Sequence, residues 1–289
     1  MKAPAFDYAR PATLAEVFDL LEAHGDEAKL LAGGQTLMAT LNMRLSQPAI
    51  LIDITALNES AVGGIREDGG MVSIGALVKH REIERSTLIA QKLPLLAQAV
   101  PHVAHVAIRN AGTFGGSVAF ADPAAEYPAC LVALDATLVL VSRNGERKVA
   151  AREFFKALYE TDLRPGELVA RAEFQALQPG YRSAFLELAR RHGDYAIVGV
   201  AAHGKVAGGV LSDVRLAYLG VGGTPVLGRQ AMAALEGQKY STEAAGAAQR
   251  ALAGDLDPAA DLYSSGATKM HLARVLTGRA LAALAEGGQ

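Results

Sequence analysis

Ala32-Gly33-Gly34-Gln35-Thr36 and Gly112-Thr113-Phe114-Gly115-Gly116-Ser117 are two glycine-rich turns of similar build. Each follows an apolar run and sets adjacent glycines beside a hydroxyl. Glycines without Cβ atoms let the backbone take unusual dihedrals and approach a ligand closely. The N–H groups of such a turn can form a concavity that holds phosphate oxygens. A single glycine turn is more often a plain loop. Two alike point to a ligand with an extended phosphate bridge, such as a dinucleotide. Neither matches the Rossmann Gly-x-Gly-x-x-Gly fingerprint, which Asp53 alone does not complete, and no Gly-Lys-Ser/Thr follows to make a P-loop.

Around the first turn the pattern is that of a strand–turn–helix–strand unit. Thr13-Leu14-Ala15-Glu16 has capping-box spacing, and Leu14, Val17, Phe18 and Leu21 fall on one helical face before a stop at Gly25. Residues 29–32 read as a short buried strand, 37–44 as a helix opening at the turn, and 49–54 as the next strand. A helix N-terminus placed this way favours an anion. Further on, residues 71–74 read as strand and 93–100 as helix. Asp122-Pro123 predicts an N-cap with proline at the first helical position, the helix running to about residue 134. Residues 136–141 form a strand that turns at Asn144-Gly145 into a hairpin. From about residue 182 the stretches 185–189, 196–202 and 213–219 predict one antiparallel sheet, followed by helices over 242–253 and 268–285. A boundary falls near residue 176, beside the Pro179-Gly180 turn. It divides the chain into 1–176, itself split near residue 56, and 177–289.

Composition narrows the function. The 289 residues are 51% hydrophobic and 20% charged, which fits a compact chain with a full core. A formal charge of −2 gives no general attraction to nucleic acid. There is no apolar stretch long enough to span a bilayer and no long apolar segment near the N-terminus, so the expected location is the cytoplasm. Cys130 is the sole cysteine, and it is expected to be a buried helix residue. One thiolate can hold neither an iron–sulfur cluster nor a structural zinc, and His102 and His105 bring no third ligand. Redox chemistry here therefore needs an organic cofactor.

The two turns, with their flanks Ile108-Arg109-Asn110-Ala111-Gly112 and the segments Ala121-Asp122-Pro123-Ala124-Ala125-Glu126-Tyr127-Pro128 and Arg190-Arg191-His192-Gly193-Asp194-Tyr195-Ala196, resemble the flavin-binding medium subunit of molybdenum hydroxylases. Carbon monoxide dehydrogenase and xanthine dehydrogenase belong to that group. The resemblance covers essentially the whole chain. It implies an α+β chain: a vanillyl-alcohol-oxidase (PCMH)-type FAD domain, then a smaller α+β domain of antiparallel sheet and helices. It implies FAD, held by Leu31, Ala32, Gly33, Gly34, Gln35, Thr36 and Leu37 from the first turn and by Gly112, Thr113, Gly115, Gly116 and Ser117 from the second. Asp122 and Glu126 match polar contacts to the cofactor, Val169 an apolar wall, and Tyr195 an aromatic cover for the isoalloxazine. Thr36 and Thr113 are expected to donate hydroxyl hydrogen bonds.

The same residues have plainer readings: Asp122 as a helix cap, Glu126 as a first-turn acid, Tyr195 as a core or edge-strand aromatic. Leu186-Glu187-Leu188 departs from relatives that carry a lysine there. The implied partners are a large molybdenum-cofactor subunit and a small subunit with [2Fe-2S] clusters, assembled as a dimer of heterotrimers, with no nucleic acid or membrane span. A stand-alone flavin oxidoreductase is the alternative. Gly115→Val is expected to abolish FAD retention with the fold intact.

Overall fold

The computed structural model describes residues 2–286. Its first layer contains strand β1 (Asp7–Ala9), helix α1 (Leu14–His24), strand β2 (Ala28–Leu31), helix α2 (Leu37–Asn42) and strand β3 (Ile50–Asp53). The three strands form a parallel sheet in the order β1-β3-β2. Both halves of the α1 capping box are present: Thr13 Oγ1 accepts from the Glu16 N–H at 3.3 Å, and the Glu16 carboxylate accepts from the Thr13 N–H. Leu14, Val17 and Phe18 then bury one helical face against Ile50 and Ile52. Parallel neighbours cannot be joined by a tight hairpin, so β2 reaches β3 through α2. The first glycine turn therefore lies at the carboxyl end of β2, where open α/β sheets place their ligands.

The second layer begins with β4 (Ile65–Asp68) and β5 (Met71–Gly75). Six helices follow: α3 (His80–Arg85), α4 (Thr87–Lys92), α5 (Pro94–Ala99), α6 (Val106–Arg109), α7 (Phe114–Phe120) and α8 (Glu126–Ala133). Next come β6 (Thr137–Ser142), β7 (Gly145–Ala150), α9 (Ala151–Phe154), the small hairpin β8 (Phe155–Ala157) and β9 (Glu160–Thr161), and β10 (Leu168–Gln175). The sheet is antiparallel in the order β4-β5-β10-β6-β7, so the strand reached last in the chain sits at its centre. Ala170, Ala172 and Phe174 of β10 are fully buried.

The third layer is an antiparallel sheet of β11 (Tyr181–Ala189), β12 (Ala196–Ala207), β13 (Val210–Leu219) and β14 (Val226–Leu227), in that order. Helices α10 (Arg229–Ala233), α11 (Thr242–Ala251) and α12 (Gly266–Glu286) complete it. The long α12 packs on β11 and β12, while α5 and α8 of the second layer also pack on this sheet. This is the expected α+β class.

Two local expectations need correction. Asp122 is not the cap of α8, which starts at Glu126 with Ala125 before it. A helix beginning at Pro123 would put Pro128 in its interior, where proline lacks the required N–H and clashes with the preceding turn. Starting at Glu126 keeps Pro128 within the first turn. The residues 122–125 form a separate turn instead, in which the Ala125 N–H donates to the Asp122 carbonyl at 3.0 Å. The hairpin between β6 and β7 is offset by one residue: Ser142 pairs with Gly145, so Arg143 and Asn144 make the turn and Gly145 carries the positive φ of 108°.

Candidate functional site

A cleft of about 880 Å³ runs between the three layers. Its walls come from the first turn, the second turn, the 122–126 segment, the start of β10 and the loop between β11 and β12. Of the residues expected from the sequence, Ala32, Gly33, Gly34, Gln35, Thr36, Leu37, Gly112, Thr113, Gly115, Gly116, Ser117, Asp122, Glu126, Val169 and Tyr195 all line it. Leu31 does not. Its side chain lies under the first turn, with Cδ1 3.2 Å from where a Gly34 Cβ would stand.

The two turns touch each other. A Cβ on Gly33 would lie 2.5 Å from the Ala111 carbonyl oxygen and 2.6 Å from Gly112 Cα, and one on Gly112 would lie 2.7 Å from His80 Nε2. Real Cβ atoms do not come so close, so these glycines permit turn-to-turn packing. Gly115 is similarly constrained, because a Cβ there would overlap the Cβ of Ala76. Gly115→Val therefore attacks the fold, contrary to the expectation that the fold would survive it.

The turns are unequal as donors. In the second, the Phe114 and Gly115 N–H groups donate to the Val78 and Ala76 carbonyls, each at 2.8 Å. The Gly116 N–H donates to Thr113 Oγ1 at 3.3 Å, so Thr113 caps α7 and keeps only its own hydroxyl hydrogen to offer. In the first turn, no acceptor among the described residues meets the N–H groups from Gly33 to Leu37. Gly34 takes φ +69°, the left-handed region that curls such a turn into a concavity. Thr36 makes no cap hydrogen bond, which leaves its hydroxyl free as well. Unsatisfied donors at a helix start, facing a cleft, fit a diphosphate.

The cleft lining also carries carboxyls. Asp122 accepts from the Ala124 N–H at 2.9 Å, and burial raises its pKa. Glu126 is buried, and burial followed by repulsion from Glu187 pushes its pKa up to about 8. Val169 is buried where β10 slips register against β6, a bulge that turns the strand start into the cleft. Tyr195 is 67% exposed and stands at the mouth on the β11–β12 loop. Gly193 in that loop presses on Ala104, where a Cβ would meet the carbonyl oxygen at 2.7 Å.

Two structural contributors were not legible beforehand. His80 forms part of the cleft wall, and its Nδ1 has no hydrogen-bond partner. Burial and then the Arg109 charge lower its pKa to about 4, so it is neutral. Arg109, from the motif before the second turn, holds protein and not ligand. It forks onto both oxygens of Glu84 at 3.1 Å and donates to the Pro101, Val103 and Ala104 carbonyls, fixing the wall that Val103 and Ala104 supply. Cys130 is fully buried in α8. No cluster of metal-ligating side chains and no helix long and apolar enough to cross a membrane occurs among the described residues.

Residues 4–175 match the family described as the FAD binding domain in molybdopterin dehydrogenase. The chain belongs to the molybdopterin dehydrogenase FAD-binding family. Residues 183–284 match the CO dehydrogenase flavoprotein C-terminal domain. This family member is 38% identical to the 6-hydroxypseudooxynicotine dehydrogenase complex subunit alpha of Paenarthrobacter nicotinovorans, over 98% of this chain and 95% of that one. It is 34% identical to the glyceraldehyde dehydrogenase medium chain of Sulfolobus acidocaldarius, over 97% and 98% of the two chains. In structure it resembles carbon monoxide dehydrogenase from Hydrogenophaga pseudoflava, solved without the Mo-pyranopterin moiety of its cofactor, with a TM-score of 0.96, 36% identity and full coverage of both chains. It is accordingly an oxidoreductase flavoprotein, and its cofactor is FAD.

Proposed function

We propose that this chain is the FAD-carrying electron-transfer subunit of a multi-subunit molybdenum hydroxylase. In that assembly a large partner holds the molybdenum cofactor and a small partner holds [2Fe-2S] clusters, two heterotrimers associate, and the complex works in the cytoplasm. The observation that carries this reading is the run of unpaired N–H groups from Gly33 to Leu37, set in a cleft of about 880 Å³ on a chain that matches medium subunits along its length. Bound FAD supplies two-electron redox chemistry that no side chain here can supply.

The chain binds and orients. The first turn grips the pyrophosphate through Gly33, Gly34, Gln35, Thr36 and Leu37. The second turn adds close backbone approach at Gly112, Gly115 and Gly116, with hydroxyls from Thr113 and Ser117. Asp122 and Glu126 hold the polar part of the cofactor, Val169 provides an apolar wall, and Tyr195 covers the ring at the mouth. Residues 1–176, split near residue 56, form the FAD unit, and residues 177–289 close it. Substrate oxidation is assigned to the large partner.

Native purification tests the reading. Co-elution with a large molybdenum-containing chain and a small cysteine-rich chain, with a flavin spectrum, is expected. Substrate turnover by this chain alone would favour a stand-alone flavin oxidoreductase and overturn the electron-transfer reading.

A further inference from the structure

We propose that His80 is a further cofactor-holding residue, whose Nε2 donates a hydrogen bond to the diphosphate of bound FAD where the two glycine turns meet. The assignment rests on the cleft being the flavin site.

His80 opens α3, and its backbone is tied to the second turn. Its N–H donates to the Gly112 carbonyl at 3.1 Å, and the preceding Lys79 pairs with Thr113 in an isolated β-bridge. The side chain is 5% exposed and forms part of the cleft wall. Its ring lies beside Tyr127, with centroids 5.4 Å apart. The Nε2–Cδ2 edge lies against the turn: a Cβ on Gly112 would stand 2.7 Å from Nε2 and 2.8 Å from Cδ2. Gly112 Cα is in turn 2.6 Å from where a Gly33 Cβ would stand. Gly33, Gly112 and Nε2 are therefore consecutive neighbours, which sets this ring edge at the junction of the two turns.

Packing alone does not explain an imidazole here. Nδ1 is buried without a hydrogen-bond partner, and no group among the described residues bonds Nε2. Buried polar atoms without partners are costly, and a leucine would fill much of the same space without that cost. With Nδ1 sealed inside, Nε2 is the polar atom that His80 can present to the cleft. Burial and then the Arg109 charge keep the ring neutral, so it has one N–H to place. An ionised diphosphate only accepts, and it selects the tautomer with that hydrogen on Nε2.

The second turn also lacks the donors such a ligand needs. Its Phe114, Gly115 and Gly116 N–H groups are already taken by Val78, Ala76 and Thr113. A side-chain donor strapped to this turn makes up for them, opposite the open N–H groups of the first turn.

The test titrates FAD, and separately ADP, into the natively purified protein at pH 7 after its flavin has been stripped. Glutamine sets its amide nitrogen where Nε2 stands, asparagine sets it where Nδ1 stands, and leucine has no donor. His80→Gln should bind FAD within about threefold of the parent, whereas His80→Asn and His80→Leu should bind it about tenfold or more weakly. ADP carries the diphosphate without the isoalloxazine, and its affinity should fall by the same factor. Urea midpoints of the same variants report the fold, and the contrast of glutamine with asparagine stands even where leucine destabilises the chain. Equal FAD affinity in glutamine and asparagine variants would overturn the contact, and so would a loss seen with FAD but not with ADP. A parent protein that takes up neither FAD nor ADP would sink the flavin site itself and this contact with it; a parent that binds both beside unmoved variants would strike His80 alone.

Discussion

Gly33 and Gly34 are neighbours with different reasons for lacking a side chain. Gly33 must pass against Ala111 and Gly112, whereas Gly34 must hold φ +69° with only Leu31 and Met38 nearby, at 3.2 and 3.4 Å. Gly33→Ala is expected to cost about 2 kcal/mol in overpacking, read as a lower urea midpoint of the FAD-free chain. Gly34→Ala should cost about 1 kcal/mol in backbone strain and show its larger effect as lost FAD affinity. Equal stability losses with equal flavin retention would contradict this division.

Two buried titratable groups set opposite pH limbs. His80 stays neutral to about 4 in the fold but protonates near 6.5 when unfolded, so stability falls as pH drops through that interval. Half-buried His203, likewise held to about 4, adds to the same limb. Glu126 keeps its proton to about 8 in the fold but loses it near 4.5 when unfolded, so stability falls as pH rises from 4.5 to 8. Thermal unfolding across pH should show His80→Gln weakening the acid limb only in part, and Glu126→Gln flattening the alkaline one. The glycine spacing announced the turns; which glycines serve the ligand and which serve packing depends on Ala76 and His80, far away in sequence.

Elements were most legible where short-range chemistry decides them. The α1 capping box, the β6–β7 hairpin and α12 follow from residues within a few positions of each other. The start of α8 depended on weighing Pro128 against Pro123, two prolines that cannot both be in one first turn. The occupied N-terminus of α7 was not legible at all, because its acceptors are the Ala76 and Val78 carbonyls just past β5. That occupancy makes α7 a structural helix start whose cap is worth testing. Thr113→Ala should cost about 1 kcal/mol by leaving the Gly116 N–H without its acceptor, and Thr113→Ser should restore most of it. Denaturation midpoints of the FAD-free variants check this. A Thr113→Ala variant as stable as the parent would mean that the hydroxyl is not holding the helix.

At the scale of the molecule, the proposed division near residue 176 does not divide the apolar interior. One buried cluster joins Tyr127, Leu131 and Phe174 to Phe185, Ala201, Ala217 and Leu219 of the third layer. A second lies wholly between that sheet and helices α10 to α12. The proposed boundary falls where the chain passes from the sheet of β10 to that of β11, whereas cooperativity follows the shared cluster, in which α5 and α8 lie on β11 to β13. The C-terminal unit also supplies Gly193, Asp194 and Tyr195 to the cleft wall. Residues 1–176 and 177–289 are therefore expected to unfold together. Calorimetry of the whole chain should give a single transition whose calorimetric and van't Hoff enthalpies agree. Phe185→Ala, which removes a ring at the seam, should lower that whole transition by about 3 kcal/mol without splitting it. Two resolved transitions, with only the second moved by Phe185→Ala, would show that the seam is a contact between independently stable bodies.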